Sequence, residues 1–232
     1  MNPEHEKKAH INRYEPLRLL RRNKVPCVVW FEDTLRYYGV PTVLFDLYIL
    51  VPNIEVAANL LIKEGWVLDT QGPAMIGNAE VDLPQSRLVS VCGQKKTVLL
   101  PASDWKFAFP WELQQRASYF PSFPEFLDAL VESWLDCPFE DPFLLLHLAC
   151  QIGYLYAHAG ALQERAFAKS LKRQHRQFHY DVLAGMVTGT AQFRAHERAV
   201  RDAFLQGQYE LQECSAYCDN AQLFPVASDA HS

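Results

Sequence analysis

An α+β fold is predicted for this chain: a mixed sheet with flanking helices in the N-terminal half, followed by a C-terminal helical bundle. Two observations carry the expectation. Val25–Leu68 runs as an apolar segment, a short helix, a Gly-Val-Pro turn, a second apolar segment holding one acid, an amphipathic helix and a third apolar segment. Beyond the aromatic, Pro-rich stretch 107–123 the apolar period changes from two to 3.6 residues, which exchanges strands for helices. The domains expected are therefore 1–106 (α/β), 107–123 (connector), 124–218 (helical bundle) and 219–232 (tail).

Each element follows from its pattern. Leu17–Lys24 reads as a basic helix leading into the fold. Val25–Phe31 is a strand rich in β-branched residues, and Glu32–Tyr38 a helix whose two leading acids suit the positive end of the helix dipole. Gly39-Val40-Pro41 makes the turn. Thr42–Val51 is nearly continuous in apolar residues, as expected for a strand covered on both faces, with Asp46 at its centre. Asn53 caps a helix over 54–64 that Gly65 stops, and Trp66–Leu68 returns to the sheet. Asp69–Asn78 reads as loop; Ala79–Leu83, Arg87–Cys92 and Thr97–Leu100 read as strands, the last two joined by a Gly-Gln-Lys-Lys turn. In the second half, helices are expected from Pro124 to Leu135, ended by Cys137-Pro138, and from Glu140 to Ala159, the latter apolar nearly all round and so the bundle's core. A long helix over Ala161–Met186 and a last one over Thr190–Leu205 complete the bundle.

Composition narrows the function classes. The 232 residues are 49% hydrophobic and 21% charged, an ordinary balance for a folded chain and remote from the disordered class. The net charge of -5 argues against nucleic acid held by bulk charge, with tRNA left open. The polar N-terminus and the lack of any apolar run near the roughly 18 residues of a membrane span predict a cytoplasmic protein with no membrane partner. The scattered cysteines read as buried hydrophobes; Cys214 and Cys218 stand four apart, but no nearby histidine or second pair completes a zinc site. There is no P-loop, GxGxxG or GxSxG.

Across Trp30–Gly65 the order strand, helix, Gly-Val-Pro-Thr, strand with an acid, helix, Gly resembles the core of the nucleotidyltransferase superfamily, the fold of polymerase-beta-like and antitoxin-type enzymes. In that pattern a small-residue pair precedes the helix, two acids alternate on the next strand as Asp-x-Asp, and a later strand adds a third. Alternate strand residues share a face, so such carboxylates hold Mg²⁺ against a nucleoside triphosphate. Carried over by position, Asp46 is the metal ligand, Tyr48 stands where a second acid would be (Leu44 if Asp46 is itself the second), Glu80 or Asp82 supplies the third, and Glu32 or Asp33 stands near the sheet's edge. Trp30-Phe31 replaces the small pair, so the nucleotidyltransferase-like motif is degenerate. Over its full length the chain is also similar to a group of fungal proteins sharing GVPTVLFDLY and RQFHYDVL.

Asp46 has three readings: a Mg²⁺ ligand, a structural carboxylate accepting backbone or Tyr hydrogen bonds, or an acid less buried than its neighbours imply. The segment Leu171–Leu183 concentrates Lys172, Arg173, His175, Arg176 and His179, which suit an anion clamp, a two-histidine metal site or an ordinary solvated helix face. His147 and His158 read as hydrogen-bonded histidines of a core helix. The expected function is a degenerate nucleotidyltransferase-fold protein binding a nucleotide or other anionic small molecule between sheet and bundle, through Tyr48 and the basic segment. The alternatives are an active, divergent Mg²⁺-dependent transferase of fungal specialised metabolism, with Asp46, Asp82 and Glu80 catalytic, and a non-enzymatic interaction protein. The oligomeric state is left open.

Overall fold

The computed structural model describes residues 13–90, 96–109, 118–137, 141–186 and 189–217. Among these, helix α1 spans Glu15–Arg22, strand β1 Val28–Trp30, α2 Glu32–Tyr37, β2 Leu47–Val51 and α3 Ile54–Lys63. Then follow β3 Val67–Leu68, β4 Met75–Ile76, β5 Ala79–Glu80, β6 Ser86–Val89 and β7 Lys96–Pro101. The second half is helical: α4 Phe123–Leu135, α5 Pro142–His158, α6 Arg176–Leu183 and α7 Ala191–Leu205. The expected α/β character with a mixed sheet and several helices is present.

The sheet is five-stranded in the order β1-β2-β7-β6-β3, with a separate hairpin of β4 and β5. Strand β2 pairs antiparallel with β1 (Trp30 opposite Tyr48) and parallel with β7 (Ile49 opposite Leu99). Every residue of β2 is buried, as its unbroken apolar run requires. Its alternating side chains enter two different cores. Leu47, Ile49 and Val51 join Leu99 and meet Leu17 and Leu20 of α1 and Ala57 and Leu61 of α3. Tyr48 and Leu50 join Trp30, Val98 and Leu100 and meet Phe126 and Leu130 of α4 and Leu144 and Leu148 of α5. One continuous core thus crosses the expected division at 107–123, of which 110–117 lie outside the described residues.

Caps set the helix starts. The Asn53 side chain accepts from Val56 N–H at the head of α3, and Asp141 accepts from the N–H groups of Phe143 and Leu144 at the head of α5. Ser122 and Glu125 form a capping box on α4. Pro138 and Glu140 lie outside the described residues, as do Cys92, the Gly93–Lys95 part of the expected turn, Cys218 and the 219–232 tail.

Three expectations are corrected. The strand predicted from Thr42 begins only at Leu47, so Asp46 stands at the entrance to β2 rather than its centre; Val43 and Phe45 are 68% and 66% exposed, and apolar character there serves a surface. The expected loop before Asn78 contains β4, because Met75 and Ile76 find ladder partners in Glu80 and Ala79. The long helix from Ala161 is broken into 3₁₀ turns at Gly160–Gln163, Arg165–Ser170 and Arg173–His175 before α6. Tertiary hydrogen bonds divert groups from a continuous helix: the Asp128 carboxylate accepts from Lys172 N–H, and the Glu164 carbonyl meets His179 Nε2 at 3.1 Å.

Candidate functional site

A cleft of 560 Å³ opens between α2, the Val40–Phe45 segment, the Gly77-Asn78 turn of the hairpin and α5. A smaller cavity of 240 Å³, lined by Asp46, Tyr48, Met75 and Arg87, shares Glu32, Phe45, Gly77 and Asn78 with it. One stripe of α5 faces the cleft, namely Phe143, Leu146, His147, Cys150, Gln151, Tyr154 and His158, at helical spacing. The opposite stripe, Leu144, Leu148, Ile152 and Leu155, is buried. The all-round apolar pattern of this helix therefore serves two purposes, a core and a cleft wall; Phe143 is 61% exposed.

Glu32 is the central polar residue. It heads α2, is buried, and its Oε1 accepts from Gln151 Nε2 at 3.0 Å; His147 Nε2 stands 3.9 Å away. Its Oε2 and the Gln151 Oε1 are shielded from solvent and have no hydrogen-bond partner. Burial pushes the Glu32 carboxyl up to about 7, against the opposing pull of its hydrogen bonds. Burial likewise lowers His147 to about 4, so its imidazole is neutral at pH 7.

Just before α2 the backbone turns sharply. Phe31 has φ 53 and ψ -128, a conformation that a bulky L residue rarely adopts. Aromatic rings hold it: Tyr48 at 5.2 Å, Trp105 at 5.0 Å and the His147 imidazole at 5.0 Å, all edge-to-face. Trp30 beside it packs on Phe107 and Phe126. The backbone turn before α2 is thus enclosed by an aromatic cluster.

Asp46 Oδ2 accepts from Arg87 Nη2 at 2.7 Å, and Arg87 also donates to the Met75 carbonyl. Asp46 is half-buried, and its partner is a guanidinium rather than the backbone or tyrosine groups expected of a structural carboxylate. The buried Arg13 forks onto Asp33 and reaches the carbonyls of Phe45 and Asp46, so the entrance to β2 is tied to α2 by one guanidinium. Tyr48 is buried and lines the smaller cavity, and burial pushes its hydroxyl up to about 12. Glu80 and Asp82 are exposed and line neither cavity.

The basic segment lies away from the cleft, none of its five named residues lining either cavity. His175 is buried between carboxylates: Nδ1 lies 2.7 Å from Asp128 Oδ1 and Nε2 meets Glu132. Burial alone would lower its pKa, but the hydrogen bonds to Asp128 and Glu132 raise it on balance. Burial would raise Glu132, yet His175 and Arg201 hold it down at about 2. His179 is buried between the Tyr156 hydroxyl and the Glu164 carbonyl. Arg176 donates to the carbonyls of Leu171 and Lys169, Arg173 stacks over Phe204, and Lys172 is exposed.

A different buried group can hold a metal ion: Asp181, His196 and Glu197 offer ligand atoms within 4.8 Å of one another. Asp181 already accepts from Gln177 Nε2 and from Ser215 N–H and hydroxyl. Burial and the adjacent Asp181 push Glu197 well above the usual carboxylate range.

Sequence reasoning passed over Gln151 and Arg13, and took Glu32 or Asp33 only as acids near the sheet's edge. The two leading acids of α2 were explained by the helix dipole, and nothing in a single sequence pairs residue 32 with residue 151. No protein-family model matches the chain, and comparison with curated proteins returned no match. No helix among the described residues is long and apolar enough to cross a membrane.

Proposed function

We propose that this protein binds a small molecule in the cleft between sheet and α5, on a degenerate nucleotidyltransferase-like plan, without nucleotidyl transfer. The observation that carries the reading is the pairing of Asp46 with Arg87 beneath that cleft. A carboxylate already neutralised by a guanidinium, with Tyr48 at the alternate position, is a poor half of a two-metal site. The aromatic cluster around Phe31 occupies backbone that a triphosphate needs to approach, while the cleft keeps a volume and a mixed apolar and polar lining suited to a small ligand. A nucleotide remains the first ligand class to test.

The test is a thermal-shift series with ATP, CTP and GTP, with and without Mg²⁺ or Mn²⁺. Stabilisation indifferent to metal and retained in Asp46→Asn supports binding without transfer; no shift from any nucleotide removes the nucleotide class. The divergent-transferase reading has one observation in its favour: Glu32 and Asp46 line the same smaller cavity, so Glu32 is a candidate second carboxylate for Mg²⁺. Metal-dependent stabilisation abolished by Asp46→Asn would favour it. The exposed Val43, Phe45, Phe143, Leu146 and Tyr154 all border the cleft, and they form the surface an interaction partner would use.

A further inference from the structure

We infer that the cleft selects a ligand with a flat, N–H-donating head group, such as an amidinium, a guanidinium or a 2-amino-azaheterocycle, held between Glu32 and Gln151. The inference rests on the small-molecule reading above and specifies its ligand.

Two residues that line one cavity, Glu32 and Gln151, each keep a buried acceptor without a partner. Glu32 Oε1 is taken by Gln151 Nε2, which leaves Oε2 unpartnered, and Gln151 keeps Oε1 unpartnered. The orientation of the amide is fixed by its neighbours. Its Nε2 faces the carboxylate at 3.0 Å and the His147 Nε2 at 3.5 Å, which leaves the oxygen as the free end. A buried acceptor left unpaired is unfavourable, and a ligand bringing two N–H groups supplies the partners these acceptors lack.

The charges agree. Among the described residues the lining of the two cavities contains no lysine, and its arginine, Arg87, is paired with Asp46. The acids there are Glu32 and Asp46, and Glu32 has no ion-pair partner of the kind Asp46 has in Arg87, so the lining favours a cationic or N–H-donating head over an anionic one. Phe45, Phe143, Leu146 and Tyr154 offer an apolar wall for the body of such a molecule. The raised pKa of Glu32 supports the same picture, because a cationic head drives the carboxyl to its charged form and makes binding tighten as pH rises.

Benzamidine and benzoate, which share shape and differ in head group, separate the possibilities by protein-observed NMR titration at millimolar concentration. Benzamidine is expected to bind at least about ten-fold more tightly than benzoate, to lose at least about ten-fold in Glu32→Gln, and to tighten between pH 6 and pH 8. Should Glu32→Gln fail to fold, Gln151→Leu, which keeps the carboxylate, is expected to weaken benzamidine several-fold. Benzoate binding as well as benzamidine, or benzamidine affinity unchanged in whichever of these variants folds, overturns the inference. If neither probe binds while a nucleotide shifts resonances of cleft residues, the head-group inference falls and the cleft reading stands. Silence from all of them overturns both.

Discussion

Gly77 lies directly beneath the imidazole of His147: a Cβ added at Gly77 would stand 2.5 Å from Nδ1 and 2.9 Å from Cε1. With φ at 56, Gly77 also occupies backbone that L side chains seldom adopt. The turn of the small hairpin is thereby pressed against the same helix stripe that carries Gln151, and His147 links hairpin, α5 and Glu32.

Gly77→Ala is expected to destabilise the protein by about 1–3 kcal/mol, from positive φ and overpacking together. Adding His147→Ala removes the clash but not the backbone strain. A double-mutant cycle by urea denaturation should show a coupling of about 1 kcal/mol in the direction of rescue. Additivity would mean that the ring simply moves aside.

At Phe31 the usual order of small substitutions should invert. Phe31→Ala discards the aromatic packing and keeps a Cβ at positive φ, for a cost of about 3–5 kcal/mol. Phe31→Gly loses the same packing yet relieves strain of order 1–3 kcal/mol. The glycine variant is therefore the more stable of the two in chemical denaturation, and the opposite ranking would refute strain at this position.

The pH dependence of stability should carry the signature of Glu32. Its folded pKa, about 7, lies above the ordinary carboxylate value. Between roughly pH 4.5 and 7 the folded state therefore holds more protons than the unfolded state, and stability falls as pH rises. His147, lowered to about 4, acts in the opposite sense between about 4 and 6.5, where the unfolded state binds more protons. Comparison of wild type with Glu32→Gln cancels the histidine. The variant should gain on the wild type by about 2–3 kcal/mol from pH 4.5 to pH 7, read from denaturation midpoints. A constant difference across that range would place the Glu32 pKa near its ordinary value.

Breaking the Arg13–Asp33 pair should cost more than replacing it. Both side chains are almost wholly buried, at 3% and 1% exposure. Asp33→Ala strands the guanidinium and is expected to cost about 3–5 kcal/mol, whereas the double change Arg13→Met with Asp33→Leu should cost less than the single one. Because Arg13 also holds the carbonyls of Phe45 and Asp46, Asp33→Ala should additionally speed amide hydrogen exchange over 45–48, at the entrance to β2.

Local pattern carried much of the architecture. The apolar run of β2, the Asn53 cap, Gly65 and Pro124 each act through neighbours a few residues away, and the corresponding elements appear where those signals stand. The signals failed where distant groups compete for the backbone or decide burial. Asp128 and Glu164 break the helix expected after Ala161, and an open cleft rather than a core receives one stripe of α5.

The site shows the same division. That Asp46 and Tyr48 share one cavity was legible from their spacing of two residues, although Asp46 stands just before β2. Their chemical state was not, since the pairing of Asp46 with Arg87 joins residues 41 positions apart through the sheet. Glu32 is the extreme case. By itself the sequence determines that residue 32 is an acid at the start of a helix, where the backbone dipole welcomes it. Only tertiary packing decides that this acid is buried against Gln151, 119 residues away, with one oxygen unpartnered at the floor of a cleft, because desolvation and hydrogen bonding depend on which atoms surround a group in space.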